Sequence, residues 1–216
     1  METITKCYTD VNSTPSDINE HIATLYRYAT ECERITECAA RPAISTWAFL
    51  KGLIDGGHEN KEFTLVYTSY YPNIEVAKHA AIQCGLNAKF IKGNDLMVEL
   101  ERTDLLFIDS WHVYGHMKRE LEKLAPLTQK YIIMHDTTID AYYGESIRVG
   151  WNIKQQSIDS GIPVDEIAKG IWPAIEEFLA VNADQWTLHE RYVNNNGLTI
   201  LKRIKTSINE DQLGSV

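Results

Sequence analysis

The spacing of the hydrophobic positions changes several times along the chain, and each change predicts a different element. Between residues 18 and 29 apolar side chains recur at helical spacing, which predicts an amphipathic helix behind the capping residues Ser16 and Asp17. The stretches 105–108 and 131–134 are instead continuously apolar. Such runs are typical of parallel strands that are covered on both faces.

Strand and helix patterns alternate through most of the sequence. The strands are predicted at 34–40, 62–72, 87–93, 103–109 and 130–136, and the helices between and after them at 45–57, 73–85, 95–102 and 115–127. A last helix at 172–182 is followed by two strands, 186–193 and 198–204, joined by the turn "NNNG". This order predicts an α/β fold with a Rossmann-like, doubly wound, mostly parallel seven-stranded sheet that ends in an antiparallel C-terminal hairpin.

The length of 216 residues fits one domain, which we place at residues 1–204. Between 137 and 170 the pattern becomes rich in loops, and this insertion is expected to act as a lid or a substrate-binding segment with a short helix near 147–157. Residues 205–216 are expected to be a poorly packed tail.

Composition narrows the class of protein. The net charge of -9 disfavours a nucleic-acid partner, and no apolar stretch is long enough for a membrane helix. The four cysteines lack zinc-ligand spacing, which favours buried thiols in a cytoplasmic protein. A homo-oligomer is compatible with these features.

Polar side chains follow the predicted strands, where an open parallel sheet binds its ligands. Asp109 and Asp136 end two neighbouring strands, so their carboxylates are expected to lie close together. A divalent cation would neutralise them: Mg²⁺ suits oxygen ligands, and a nitrogen from His135 would favour Mn²⁺ or Zn²⁺. On spacing alone, a metal site and a structural role, in which Asp136 caps a turn and Asp109 binds backbone amides, are equally compatible with the sequence.

His112 follows Asp109 closely and is a candidate general base, because a neutral imidazole can accept a hydroxyl proton. His116 is interpreted as a residue of the helix start. Four aromatic residues could form a stacking floor for a sugar or an aromatic ring, although core packing is the more common fate of each: Trp111, Tyr114, Tyr142 and Tyr143. Common hydrolase and phosphoryl-transfer motifs are absent from the sequence.

The segment "TDLLFIDSWHVYGHMKRELEKLAPLTQKYIIMHDTT" resembles the strand-four to strand-five region of class I S-adenosylmethionine-dependent methyltransferases. It is most similar to the sugar and small-molecule O-methyltransferase branch that includes cephalosporin hydroxylase and rhamnosyl O-methyltransferase, where "IDxxH", "aPl" and "(E/H)DT" recur in this order. "GIWPAIEEFL" and "NNNGLTILKR" resemble the last helix and hairpin of that branch. The resemblance spans Ile35 to Arg203.

The resemblance implies roles for particular residues. Asp109 and Asp136 would ligate the metal, with His135 where relatives often have Glu, and His112 would be the base. Gly93, Asn94 and Asp95 would lie beside the adenine. The family's first loop, "ExGxxxGxS", reads "ECAARPAIS" here, so the corresponding cofactor-binding positions are Glu37, Ala39, Ala43 and Ser45.

Two features depart from the family pattern. Alanine replaces glycine at positions 39 and 43 of the cofactor loop, and each added methyl group takes space beside the cofactor. The family's second strand usually ends in an acid that binds the ribose, whereas this chain has the neutral residues Thr68 and Ser69.

Three functions follow from these observations. The first is a metal-assisted, S-adenosylmethionine-dependent O-methyltransferase that acts on a hydroxyl group of a sugar, a glycan or another small molecule, with Mg²⁺ or Mn²⁺. The altered cofactor positions leave a glycosyltransferase with a nucleotide-sugar donor as the alternative. A non-enzymatic binding module is the third.

Overall fold

The computed structural model describes residues 1–38 and 42–204. The predicted cofactor residue Ala39 and the predicted tail at 205–216 lie outside the described residues. The remaining site predictions all fall on described residues.

A seven-stranded sheet forms the centre of the fold, in the spatial order β3-β2-β1-β4-β5-β7-β6. The strands are β1 (Arg34–Cys38), β2 (Glu62–Tyr67), β3 (Asn87–Lys92), β4 (Thr103–Ile108), β5 (Thr128–His135), β6 (Trp186–Tyr192) and β7 (Leu198–Arg203). The first five pair in parallel, and β7 runs antiparallel to both of its neighbours. The predicted mostly parallel sheet with an antiparallel C-terminal hairpin is therefore confirmed.

Helices cover both faces of the sheet. They are α1 (Glu2–Ser13), α2 (Ile22–Ala29), α3 (Ile44–Asp55), α4 (Pro72–Gln83), α5 (Tyr114–Leu124), α6 (Glu145–Val149), α7 (Ile153–Ser160), α8 (Val164–Ala168) and α9 (Trp172–Val181). Short 3₁₀ turns occupy Asn19–His21 and Ala125–Leu127.

Two hydrophobic clusters, one on each face, explain the apolar runs in the sequence. Side chains of a strand alternate between the faces of a sheet. Accordingly, Leu105 and Phe107 of β4 pack with α1 to α4, whereas Leu106 and Ile108 pack with α5 and α9. The whole strand is buried, and its carboxyl end carries Asp109 to the edge of the sheet.

The sequence analysis missed one helix and wrongly predicted another. Residues 2–13 form α1, which the sequence pattern did not indicate because Ile4 is the only residue of that helix that is fully covered. The helix predicted at 95–102 is replaced by a turn in which the side chains of Asn94 and Asp95 accept hydrogen bonds from the Leu96 amide. Local side-chain bonds of this kind compete with helix formation.

The insertion at 137–170 contains three short helices, α6 to α8, rather than the single predicted helix at 147–157. Gly150 and Gly161 end α6 and α7 in the left-handed conformation, with φ of 78° and 73°. Glycine adopts this conformation without a steric penalty, so each one breaks the helix there. The predicted hairpin turn also contains residues with a positive φ angle, namely Asn195, Asn196 and Gly197.

Within residues 1–38 and 42–204, no helix combines the length and the apolar character that crossing a bilayer requires. The four cysteines are free thiols.

Candidate functional site

A cleft of about 240 Å³ lies at the edge of the sheet formed by the carboxyl ends of the parallel strands. Residues that follow β2, β3 and β4 line it, namely Thr68, Ser69, Asn94, Asp95, Ser110 and Trp111. Four of these six are predicted cofactor positions. The cleft thus lies where an open parallel sheet places its ligand.

Three predicted cofactor residues lie in β1 and at the start of α3: Glu37, Ala43 and Ser45. Glu37 is fully buried and accepts hydrogen bonds from the hydroxyls of Ser45 and Thr46, at 2.7 Å for Thr46. Ala43 has φ of 67°, a conformation that favours glycine, and its methyl group packs in the first hydrophobic cluster. Glu37, Ala43 and Ser45 are therefore buried, and they are not among the residues that line the cleft.

Burial also sets the charge of Glu37. Removal from water raises the pKa of Glu37 to about 7, although the two hydroxyl donors oppose that rise. The sequence alone did not indicate this perturbation.

Asp109 and His135 meet across the ends of β4 and β5. Nδ1 of His135 lies 3.1 Å from Oδ1 of Asp109, and its Nε2 lies 3.1 Å from the carbonyl oxygen of Asp17. Because Nε2 faces a backbone acceptor, it carries a proton. Burial lowers the pKa of His135, but the carboxylates of Asp109 and Asp136 outweigh it and raise the value to about 9.

His112 is enclosed by acidic side chains. Its Nδ1 lies 3.0 Å from Oδ2 of Asp136, and its Nε2 lies 3.3 Å from Oδ1 of Asp109. Asp140 and Glu145 also lie within 4 Å of Nδ1, at 3.5 and 3.7 Å. Neither ring nitrogen is in hydrogen-bonding geometry, although the side chain is buried.

This enclosure bears on the predicted role of His112 as the general base, which stays a prediction. Burial opposes a positive charge, but the surrounding carboxylates raise the pKa of His112 well above its usual value. A raised pKa favours the protonated imidazole, which is not a base, and the nitrogens of His112 have no exposed surface. Without a cation in the cluster, His112 therefore neutralises the neighbouring carboxylates.

Asp136 is held in an unusual backbone conformation. Its φ is 57°, and its Oδ1 is buried without a hydrogen-bond partner. A non-glycine residue in the left-handed region carries a strain of about 1–3 kcal/mol, which tends to persist at functional sites. Here the conformation brings the carboxylate of Asp136 to His112.

The insertion contributes two further acids that the sequence analysis missed. Asp140 is fully buried, and Arg148 binds both of its oxygens, at 2.6 and 2.8 Å. Glu145 donates its backbone N–H to the carbonyl oxygen of His112 at 2.9 Å, and its side chain also lines the cleft. Glu145 therefore connects the cleft with the cluster around His112. Only the folding of the insertion against β5 brings these acids to the site.

The cluster offers a donor set that suits a divalent cation. One ligand atom from each of Asp109, His112 and Asp136 lies within 4.8 Å of the others. The unpartnered Oδ1 of Asp136 and the nitrogens of His112 are the kind of buried atoms that a bound cation satisfies. Two carboxylates and an imidazole favour Mn²⁺ or Zn²⁺ over Mg²⁺.

The position of His135 changes the predicted ligand set. Its Nε2 faces backbone oxygens, and its Nδ1 faces Asp109, so His135 orients the Asp109 carboxylate from behind. In the structure, His112 rather than His135 therefore lies with Asp109 and Asp136 in the group of candidate ligand atoms.

The four predicted aromatic residues separate in the structure. Trp111 lines the cleft and donates from Nε1 to Oγ of Ser146 at 3.0 Å. Tyr114 does not line it: the ring is buried in the second hydrophobic cluster, and its hydroxyl donates to Glu177 at 2.6 Å. Tyr142 and Tyr143 are 64 % and 74 % exposed on the insertion, and their contact with a substrate remains a prediction.

Comparison with known proteins places this geometry in a wider context. No protein-family model matches the chain, and no curated protein matches it. Solved structures do match its fold. The methyltransferase PaMTH1 of Podospora anserina, bound to S-adenosylhomocysteine, superimposes with a TM-score of 0.56 at 15% identity, covering 95% of this chain and 89% of its own.

Two further solved structures are similar over nearly the same extent. The O-methyltransferase TomG of Streptomyces achromogenes, in complex with S-adenosylmethionine, has a TM-score of 0.57 at 12% identity, with 95% of this chain and 91% of that chain covered. The O-methyltransferase of Bacillus cereus, in complex with S-adenosylhomocysteine, has a TM-score of 0.57 at 13% identity and the same coverage. This chain therefore has the fold of the class I S-adenosylmethionine-dependent methyltransferases.

Proposed function

We propose that the protein is an S-adenosylmethionine-dependent O-methyltransferase that acts on a hydroxyl group of a sugar, a glycan or another small molecule. One observation carries the proposal: Glu145 belongs both to the cleft and to the cluster around His112. The cleft is also bordered by Thr68, Asn94 and Asp95. A methyl donor in the cleft would thus lie beside the groups that prepare an acceptor.

The cleft supplies polar contacts without a ribose-binding acid. Thr68 and Ser69 offer neutral hydroxyls at the end of β2, and Asp95 offers a carboxylate beyond β3. At position 43 of the predicted cofactor loop, alanine is compatible with this cleft, because the Ala43 methyl group packs in the hydrophobic core.

A divalent cation is part of the proposal, held by Asp109, His112 and Asp136. When bound, it would hold the acceptor hydroxyl and lower the pKa of that hydroxyl. His135 would keep the Asp109 carboxylate in place.

Glu145 is the residue that we assign to proton removal. Its carboxylate reaches the cleft from the cluster, whereas the nitrogens of His112 are covered. In the transfer, the acceptor oxygen attacks the methyl carbon of the sulfonium group, and the carbon–sulfur bond breaks with its electron pair passing to sulfur. The hydroxyl proton passes to Glu145, and S-adenosylhomocysteine is the second product.

The nucleotide-sugar alternative receives no support from the structural comparisons, and we do not propose it. Thermal unfolding distinguishes the two donors directly. A ligand present at one hundred times its dissociation constant adds about 2.7 kcal/mol to the free energy of unfolding. We expect S-adenosylhomocysteine to raise the melting temperature, and uridine and guanosine diphosphates with Mn²⁺ to leave it unchanged. Stabilisation by a diphosphate alone would overturn the proposal.

A further inference from the structure

A second group of metal-binding side chains lies on the wall of the cleft, separate from the cluster around His112. Asp95 follows β3, and His116 and Glu120 lie one turn apart on α5. Nε2 of His116 lies 3.1 Å from Oδ1 of Asp95 and 3.8 Å from Oε1 of Glu120. All three side chains are buried, and one ligand atom from each lies within 4.8 Å of the others.

The hydrogen bonds of this group leave one oxygen atom unaccounted for. Oε1 of Glu120 accepts a hydrogen bond from the Ser110 hydroxyl at 2.7 Å, and Oδ1 of Asp95 lies against His116. Oε2 of Glu120 has no hydrogen-bond partner, although the residue has no exposed surface. A buried carboxylate oxygen without a partner is costly, so a ligand in the group would stabilise it.

The spacing of the donor atoms suits a metal ion. Ligands that lie about 2.0–2.2 Å from a cation are separated from one another by roughly 3.0–3.6 Å. The two measured separations, 3.1 and 3.8 Å, are close to this range. Asp95 and His116 also line the cleft, which gives a cation a route from solvent.

We propose that Asp95, His116 and Glu120 form a second divalent-cation site, on the wall of the cleft. One imidazole and two carboxylates favour Mn²⁺ or Zn²⁺ over Mg²⁺. The site shares no residue with the cluster of Asp109, His112 and Asp136, although Asp95 also borders the cleft proposed for the methyl donor. Mn²⁺ binding tests the site separately from methyl transfer.

A proton on Glu120 is the competing explanation. Burial, together with the nearby Asp95 carboxylate, raises the pKa of Glu120 well above its usual value, so the residue holds a proton when no cation is present. A cation in the site would displace that proton. The two explanations therefore differ in whether the folded protein binds a metal here.

The test counts the Mn²⁺ ions bound to each chain, by calorimetric titration together with electron paramagnetic resonance. The Asp109→Asn variant, impaired in the first cluster, should keep one tightly bound Mn²⁺ that shows coupling to a histidine nitrogen. His116→Gln and Glu120→Gln should each bind one Mn²⁺ fewer than the wild type, or bind it at least tenfold more weakly. The double variant Asp109→Asn/His116→Gln should lose both ions.

Glu122→Gln is the matched control, because Glu122 lies on the same helix but is exposed. It should bind as many Mn²⁺ ions as the wild type. The proposal is overturned if His116→Gln and Glu120→Gln retain wild-type binding. Should either variant unfold, the double variant Asp109→Asn/His112→Gln decides alone, since it lacks the imidazole of the first cluster and the absence of a histidine-coordinated Mn²⁺ in it contradicts the second site. Loss of methyl transfer with Mn²⁺ binding intact would count only against the proposed function.

Discussion

Asp109 and His135 end adjacent parallel strands, and their side chains meet at the edge of the sheet with 3.1 Å between Oδ1 and Nδ1. The contact follows from the register, because Ile108 of β4 lies opposite Met134 of β5. The next residue on each strand therefore projects into the same space. Two buried strands thus place a carboxylate and an imidazole together and leave Asp109 22 % exposed beside the cleft.

Glu145→Gln tests the assignment of proton removal. The substitution keeps the size of the side chain but removes the basic oxygen, so kcat should fall by about 10²–10⁴-fold, a range typical of general bases. The affinity for S-adenosylhomocysteine should change little. Glu176→Gln on α9 serves as the control, and it should behave as the wild type. Equal turnover in the two variants would exclude Glu145 as the base.

Cation binding at the first cluster should release protons. His112 has a pKa raised well above 6.5 in the cation-free protein, and it must lose its proton to act as a ligand. We expect about one proton to be released per Mn²⁺ near pH 7, and the affinity to rise with pH. Calorimetry in buffers of different ionisation enthalpy measures this number.

The Glu120→Gln variant should be used for that measurement, because it lacks a ligand of the proposed second site. Mn²⁺ binding then reports on the first cluster. His112→Gln in the same background should abolish the proton release. An observed enthalpy that is independent of the buffer would show that His112 does not change its protonation on binding.

Trp111 and Tyr114 differ in their access to the cleft, and substitutions should reveal the difference. Trp111→Ala removes an aromatic wall of the cleft. The substitution should raise the acceptor KM or weaken cofactor binding by about 5–100-fold, which corresponds to roughly 1–3 kcal/mol of lost stacking. Tyr114→Phe loses the hydrogen bonds of the hydroxyl to Glu177 and Lys118, away from the cleft, and should leave both constants unchanged. Steady-state kinetics and calorimetry measure both effects. A larger binding defect in Tyr114→Phe would contradict the geometry.

Glu37 makes stability depend on pH in a definite direction. Its pKa is raised from 4.5 to about 7, so the folded state prefers the protonated acid. The resulting stabilisation is fully present below pH 4.5 and is lost as the pH rises through about 7. The loss amounts to about 3 kcal/mol at most, at 1.36 kcal/mol per unit of pKa.

Glu37→Gln removes this dependence, because an amide does not titrate. Relative to the wild type, the variant should therefore gain stability between pH 5 and pH 8 in urea unfolding. The exposed-site variant Glu99→Gln should show no such gain. A stability difference between Glu37→Gln and the wild type that stays constant with pH would mean that Glu37 is ionised in the folded protein.

Much of the fold was predictable because its strands are read from local patterns. The apolar runs before Asp109 and Asp136 indicated buried parallel strands, and "NNNG" indicated the hairpin. The first helix was missed because only Ile4 of it is fully covered, and the turn at Asp95 depends on side-chain hydrogen bonds that periodicity does not express.

The candidate site was predictable only where its residues follow strands directly. Asp109, His112 and Asp136 could be brought together from the order of the strands. Asp140 and Glu145 could not, because the path of the insertion decides their position. Glu120 had a weak signal, since an acid four residues after His116 lies on the same face of the helix. The choice of His112 rather than His135 as the candidate nitrogen ligand came from burial and side-chain contacts, which the sequence does not fix.

The most direct test of the account is methyl transfer itself. The protein is incubated with S-adenosylmethionine labelled in the methyl group, Mn²⁺ and a panel of hydroxylated small molecules that includes sugars. We predict a labelled product with the wild type and with Asp184→Asn, and at least a 100-fold loss with Asp109→Asn, because such a loss corresponds to a few kcal/mol of transition-state stabilisation. Failure of the folded wild type to bind S-adenosylmethionine, or labelling that is equal in Asp109→Asn, would contradict the proposed function.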